Sequence, residues 1–215
     1  KRGGTLRPAS WPEALSVVAA RLTEISGDPA AGSQTILNAH YTGTFALLGY
    51  AFGLRFMRTL GAREVDPDTI CNKSGHVALD YLYGSSEDGF DPRTAADAAC
   101  ILVWGANPSA SAPHQHEHWL PEAPGRVIVV DSVATKTARQ ADLHLQPFPG
   151  SDAALAFALA HVLERDGLVD HDLLRRHSVG WEELAPAMRE CTPEWAAGVT
   201  GVAAADIEQA AALYG

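Results

Sequence analysis

Apolar positions along the chain follow two spacings in turn, one helical and one of short unbroken runs, and their alternation sets the expected architecture. Leu15, Val18, Ala19, Leu22 and Ile25 recur three and four apart, which predicts an amphipathic helix from Ser10 to Ile25. Ser10 suits the N-cap, and Pro12 with Glu13 suits the first turn. A polar loop over 26–33 leads to Thr35-Ile36-Leu37, read as a short buried strand. Phe45 to Leu60 returns to helix and is closed by Gly61, giving one βα unit. The stretch 64–73 is irregular, with Asp66-Pro67-Asp68 as turn chemistry. Gly75 to Tyr83 suits a helix, and a loop rich in Ser, Gly and Asp fills 84–92.

A second block repeats the alternation. Cys100-Ile101-Leu102-Val103-Trp104 is continuously apolar and ends in Gly105, and Arg126 to Val130 ends in Asp131. Such runs belong to strands covered on both faces. Leu143-His144-Leu145 is a third, weaker extended segment. Ala153 to Leu163 is a long apolar helix opened by Ser151 and Asp152. From Gly167 onward the pattern is mostly helical, with turn signals at Pro186 and Pro193. Helices alternating with buried strands predict a parallel, doubly wound α/β fold.

Composition narrows the function classes. Of 215 residues, 47% are apolar and 20% charged, enough for a buried core. The net charge of -10 argues against a nucleic-acid partner, which needs clustered Lys and Arg. It leaves room for a single anionic ligand held by backbone amides. No apolar run approaches the ~20 residues of a membrane helix, and Lys1-Arg2-Gly3-Gly4 does not open a signal peptide. Cys71, Cys100 and Cys191 stand far apart with no C-x-x-C, so this chain alone builds neither a zinc ribbon nor an iron–sulfur cluster. Unpaired cysteines point to a reducing, cytoplasmic compartment; an export signal upstream would mean the periplasm instead.

Several segments can carry chemistry. Trp104-Gly105-Ala106-Asn107-Pro108 follows a buried strand and precedes an expected helix near Ala112. Gly lets a ligand approach the backbone, and the carboxyl end of a parallel strand is where such folds bind ligands. A plain strand–turn–helix corner is the alternative. Asp131, with Ser132, ends the next strand, where a carboxylate accepts hydrogen bonds from sugar hydroxyls or a guanine edge, or caps a helix. Gly150-Ser151-Asp152 opens the Ala-rich helix, either capping it or leaving amides for an anion. Cys71, near Lys73 and ahead of a helix, is a soft metal ligand or a packed small side chain. In His114-Gln115-His116-Glu117-His118, helical geometry puts only His114 and His118 on one side, a weak zinc site without a third ligand, with a plain helix surface as the alternative.

Taken together these segments resemble the molybdopterin oxidoreductases of the dimethyl-sulfoxide-reductase type. Ser10-Trp11-Pro12-Glu13-Ala14-Leu15 is similar to the family's SWDEAL motif, and Val103 to Pro108 to its vxWGxNP strand end. Val130-Asp131, Thr135, Thr137-Ala138, Ala141-Asp142 and Pro149 to Leu155 are similar to its long D-P-x-x-T-x-T-A-x-x-A-D … P-G-T-D-x-A-L run. Thr200-Gly201-Val202, Ile207 and Ala210-Ala211 resemble its TGV helix.

The resemblance implies a Rossmann-like α/β fold of mostly parallel sheets flanked by helices, in two lobes. Residues 1–75 would form a first, partial lobe normally completed by later sequence, and 76–215 a dinucleotide-binding domain. It implies bis-(molybdopterin guanine dinucleotide) with Mo or W, the metal held by Cys71. Trp104, Gly105, Ala106, Asn107, Pro108 and Ser111 would lie along one dinucleotide. Asp131, Ser132, Thr135, Gly150, Ser151 and Asp152 would lie near its guanosine end. A family domain, often with a [4Fe–4S] cluster, is expected before Lys1, and a cofactor-covering domain after Gly215. The chain is thus expected to be a fragment, inactive alone, whose partners are those domains and an electron-transfer subunit. Asn72 stands where formate dehydrogenases of the family usually place His, which disfavours formate without excluding it and leaves polysulfide, thiosulfate, nitrate or an unassigned oxyanion open as substrates. A non-catalytic pterin-binding or carrier module is the alternative reading.

Overall fold

The computed structural model describes residues 4, 6–40, 47–65, 72–86, 89 and 91–215. The chain forms two compact units, Lys1–Gly89 and Phe90–Gly215.

In the first unit, helix α1 spans Trp11–Ser26, and the Ser10 hydroxyl accepts the Glu13 amide as the capping reading requires. Strand β1 is Leu37–Asn38, a step later than the Thr35–Leu37 reading, because Gly32–Thr35 winds into a 3-10 turn. Helix α2 runs over Leu47–Thr59, and Gly61 turns the chain at φ +76°. Strand β2, Arg63–Glu64, then pairs parallel to β1 where no strand was expected, its second residue opening the stretch read as irregular. Two residues are too short to carry a periodic signal, and charged Arg63 and Glu64 hide an edge strand. Helix α3 covers Lys73–Tyr83 and ends on Gly84 in the left-handed region. The Asp66-Pro67-Asp68 turn and Cys71 lie outside the described residues. No residue of α1 is buried, and Trp11, Leu15, Val17 and Val18 are exposed together with Leu48, Phe52 and Phe56 of α2.

The second unit is built on a three-stranded parallel sheet in the order β3–β4–β5, with β3 Cys100–Trp104, β4 Arg126–Val130 and β5 Leu143–Leu145. Between the first two lie the short helix α4, Pro108–Ser111, and a π turn over Gln115–Trp119. The helix expected to start near Ala112 is reduced to this short, mostly π turn, and α4 ends at Ser111 before it. After β5 come α5 (Asp152–Arg165), α6 (His171–His177), α7 (Trp181–Met188), α8 (Pro193–Thr200) and α9 (Ala204–Tyr214). Pro186 sits inside α7 instead of breaking it.

Alternation along the strands sorts the core. Ile128, Val130 and Leu145 are buried on one face against Leu155 and Ala158 of α5, Ala196 of α8, and Ile207 and Ala210 of α9. Val103 and Val129 are buried on the other with Ala138. The small residues of α5 and α9 let the helices approach the sheet closely, which explains an Ala-rich sequence in a packed layer.

The turn between α8 and α9 is fixed by two contacts. The Thr200 carbonyl accepts the Phe148 amide at 2.8 Å, and the Phe148 ring lies 2.7 Å from where a Cβ on Gly201 would stand. With φ +76° as well, this position admits only glycine. The Thr-Gly-Val motif therefore holds the loop that leads from β5 into α5.

Asp142 anchors the entry to β5. It accepts the Val127 amide and the Arg126 guanidinium, each at 2.8 Å, and these bonds hold its carboxyl below the usual carboxylate range. A depressed acid stabilises the fold above its unfolded pKa and loses that effect as pH falls through the folded value. Asp142→Asn is expected to lower Tm at pH 7, with the gap to wild type closing below about pH 3.9. A gap independent of pH would show that the charge contributes nothing.

Candidate cofactor-binding edge

Parallel register aligns the strand ends. Trp104 pairs with Val130, and Val130 with Leu145, so Gly105, Asp131 and Gln146 leave the sheet side by side. The Gly105 amide donates to Val130 O at 2.8 Å and the Asp131 amide to Leu145 O at 3.1 Å, extending the ladder by one rung. These residues form the carboxyl edge, where α/β sheets take ligands.

The first corner is Gly105–Ser111. Gly105 has φ +59°, and a Cβ built on it meets nothing within 4 Å, so the space beside its backbone is open. No described hydrogen bond uses the amides of Ala106 or Asn107. Pro108 is buried at the first position of α4, the Ser109 hydroxyl donates to Asn107 Oδ1, and the Ser111 hydroxyl donates to Asn107 O. The Asn107 side chain thus shapes the turn.

At the second corner, Asp131 does not cap a helix. Its Oδ1 accepts the Val133 amide at 2.8 Å in a tight turn, and Oδ2 has no protein partner among the described residues. Exposed Ser132 keeps its hydroxyl and amide free of described bonds, while its carbonyl accepts Gln146 Nε2. The Thr135 hydroxyl accepts the Ala138 amide, so it braces the following 3-10 turn at Ala138–Gln140.

The third corner is Gly150-Ser151-Asp152. Ser151 occupies the N-cap of α5, yet its hydroxyl donates to Phe148 O and caps no amide of the helix. Asp152, in the first turn, accepts Trp104 Nε1 at 2.8 Å. That bond ties the third corner to the end of β3 across 48 residues of sequence.

Sequence reading missed the side chains that join the corners. The Thr137 hydroxyl accepts the Ser109 amide at 3.1 Å and lies 3.2 Å from His116 Nδ1, linking the first corner to the loop after β4. His116 is buried; the run of histidines drew attention to metal binding instead. His114 and His118 do share a side, with ring centroids 6.1 Å apart, but among the described residues no metal-ligating group of three forms. Burial and the Asp142 carboxylate push the Cys100 thiol up, as suits a packed small side chain. Cys71 cannot be placed at this edge, since it lies outside the described residues.

A family model described as Molybdopterin oxidoreductase matches residues 1–211. The chain belongs to the molybdopterin oxidoreductase family. It is 32% identical over 224 residues to the F420-dependent formate dehydrogenase 1 subunit alpha of Methanococcus maripaludis, covering 100% of this chain and 32% of that protein. It is 32% identical over 224 residues to the assimilatory nitrate reductase of Haloferax mediterranei, covering 99% and 30%. Among solved structures, acetylene hydratase from Pelobacter acetylenicus matches with a TM-score of 0.55 and 25% identity over 95% of this chain and 28% of that one. The chain therefore spans about a third of the length of the relatives it matches.

Membership of this family implies a molybdenum or tungsten pterin cofactor. The edge has the chemistry such a phosphorylated ligand requires. Uncommitted amides at Ala106, Asn107 and Ser132 suit phosphate oxygens, the open oxygen of Asp131 suits hydroxyl or N–H donors, and Gly105 leaves room for approach. A double-mutant cycle of Trp104→Phe and Asp152→Ala, followed by urea unfolding, is expected to give a coupling on the order of 1 kcal/mol. Coupling near zero would mean the two corners are not held together by this bond.

Proposed function

We propose that this chain is part of a larger molybdopterin oxidoreductase in which it binds molybdopterin guanine dinucleotide and supplies Cys71 as a thiolate ligand to Mo or W. The observation that carries the reading is the alignment of Gly105, Asp131 and the Asp152 corner at one sheet edge in a chain of this family. In this reading the Ala106 and Asn107 amides take the pyrophosphate, and Trp104, Pro108 and Ser111 shape the strand end that lies along it. Asp131 accepts from ribose hydroxyls or from the guanine N1–H and amino group, with Ser132, Gly150, Ser151 and Asp152 around the same end. Thr135 acts through the shape of its loop.

When bound, the cofactor supplies a metal that changes oxidation state during oxygen-atom, hydride or electron transfer. The chain's own residues orient the dinucleotide and hold its charges. The substrate is a small molecule of the formate, nitrate, polysulfide or thiosulfate class. Formate and nitrate appear in the names of relatives at equal identity, so overall similarity does not choose between them. Further domains of the same protein would hold the second dinucleotide, carry a [4Fe–4S] cluster, and cover the exposed apolar faces of α1 and α2. An electron-transfer subunit would complete the redox path, and the unpaired cysteines favour the cytoplasm.

Cys71→Ser and Asp131→Ala, each made in the intact protein, separate the two roles. Cys71→Ser is expected to abolish activity and lower bound metal, and Asp131→Ala to lower retained guanine nucleotide. Full metal and native activity in Cys71→Ser would remove Cys71 as the ligand. Unchanged nucleotide in Asp131→Ala would remove the strand-tip carboxylate from the site.

A further inference from the structure

The turn that carries Asp131 is held by its own bonds, the Val133 amide to Asp131 Oδ1 and the Thr135 amide to Val133 O, and by the strand beside it. Its loop leaves β4 into solvent, with Ser132 and Val133 exposed. Two side chains of the neighbouring strand region hold it. His144, half-buried on β5, donates from Nε2 to the Asp131 carbonyl at 2.8 Å. The acceptor is a carbonyl oxygen, so the proton must sit on Nε2, which fixes the tautomer of that bond. Gln146, just beyond β5, donates from Nε2 to the Ser132 carbonyl at 2.9 Å. The Asp131 amide is already committed to Leu145 O. Three consecutive residues of the chain, His144, Leu145 and Gln146, therefore grip two consecutive residues of the turn.

We infer that His144 and Gln146 are positioning residues, which continue the β4–β5 pairing through their side chains and so aim the Asp131 carboxylate and the Ser132 amide at the ligand. The consequence is directional. With both carbonyls pointed back and bonded to His144 of β5 and to Gln146 just beyond it, the turn shows the ligand no free backbone acceptor from Asp131 or Ser132. It shows an uncommitted carboxylate oxygen, a hydroxyl and an amide. A plain turn of the same sequence would be free to rotate its peptide planes, and the entropy of ordering them would then fall on ligand binding. This inference rests on the reading of Asp131 as a partner of the guanosine end.

The test uses His144→Leu, which keeps an apolar body and removes the donor, and His144→Gln, whose amide nitrogen lies the same number of bonds from Cα as Nε2. Gln146→Leu is the second probe; Gln146 is exposed, so its replacement spares the core. Each is made in the intact protein, and the rate of cofactor loss on dilution is followed on the separated protein by pterin fluorescence after oxidation and by the GMP freed on acid hydrolysis, with Tm measured alongside. His144→Leu and Gln146→Leu are expected to speed loss roughly five- to tenfold, the effect of one hydrogen bond. His144→Gln is expected to stay within about twofold of wild type. Loss in His144→Gln as fast as in His144→Leu would overturn the proposal, since the donor would then not be what matters. Wild-type retention in both Leu variants, with fast loss in Asp131→Ala, would overturn it while leaving the Asp131 reading intact. Wild-type retention in Asp131→Ala and in both Leu variants would overturn both.

Discussion

The parallel pairing of β3, β4 and β5 places Trp104, Val130 and Leu145 in one row, and every candidate contact depends on that row. A slip of one residue would invert each strand's faces, sending Ile128 and Val130 away from α5 and moving Asp131 off the edge. The register is thus held by the core and not by the site. Leu155, Ala158 and Ile207, all fully buried, accept only the even-numbered residues of β4. The geometry of the edge rests on packing several residues away from it.

Around this row the molecule spends polar side chains on bracing. Thr137 ties the turn after β3 to the loop after β4; Trp104 and Asp152 tie β3 to α5; His144 and Gln146 hold the turn after β4. Thr200 and Gly201 then fix the loop that brings α5 into place. Each brace joins segments distant in sequence. Among the described residues of the edge, the bonds leave uncommitted the amides of Ala106, Asn107 and Ser132, the Ser132 hydroxyl and one Asp131 oxygen, a pattern suited to a ligand with phosphates and sugar hydroxyls.

The strands β3, β4 and β5, the long helix α5 and the corners at Gly105, Asp131 and Gly150 were legible from pattern alone, because buried strands and glycine ends leave strong local signals. The strand β2 was not, since two charged residues at a sheet edge carry no periodicity. The short helix α4 was hidden for a different reason: the sequence pattern starts a helix near Ala112, whereas the backbone winds Pro108–Ser111 first and then takes a π turn that buries His116. The braces were invisible because side-chain bonds across 13 to 48 residues depend on tertiary placement that no local spacing encodes. Ser151 shows the opposite error: its type and position suit a cap, but Phe148 O competes for its hydroxyl and wins.

The central claim is that this chain holds a metal-bearing pterin dinucleotide within a larger protein. Its most direct test is the metal and pterin content of the intact protein, made in a host that synthesises the guanine dinucleotide form. Mo, W and Fe are measured by elemental analysis and pterin by fluorescence after oxidation. One Mo or W with two pterins per chain is the predicted result. A folded protein without pterin would contradict the account and leave only the fold.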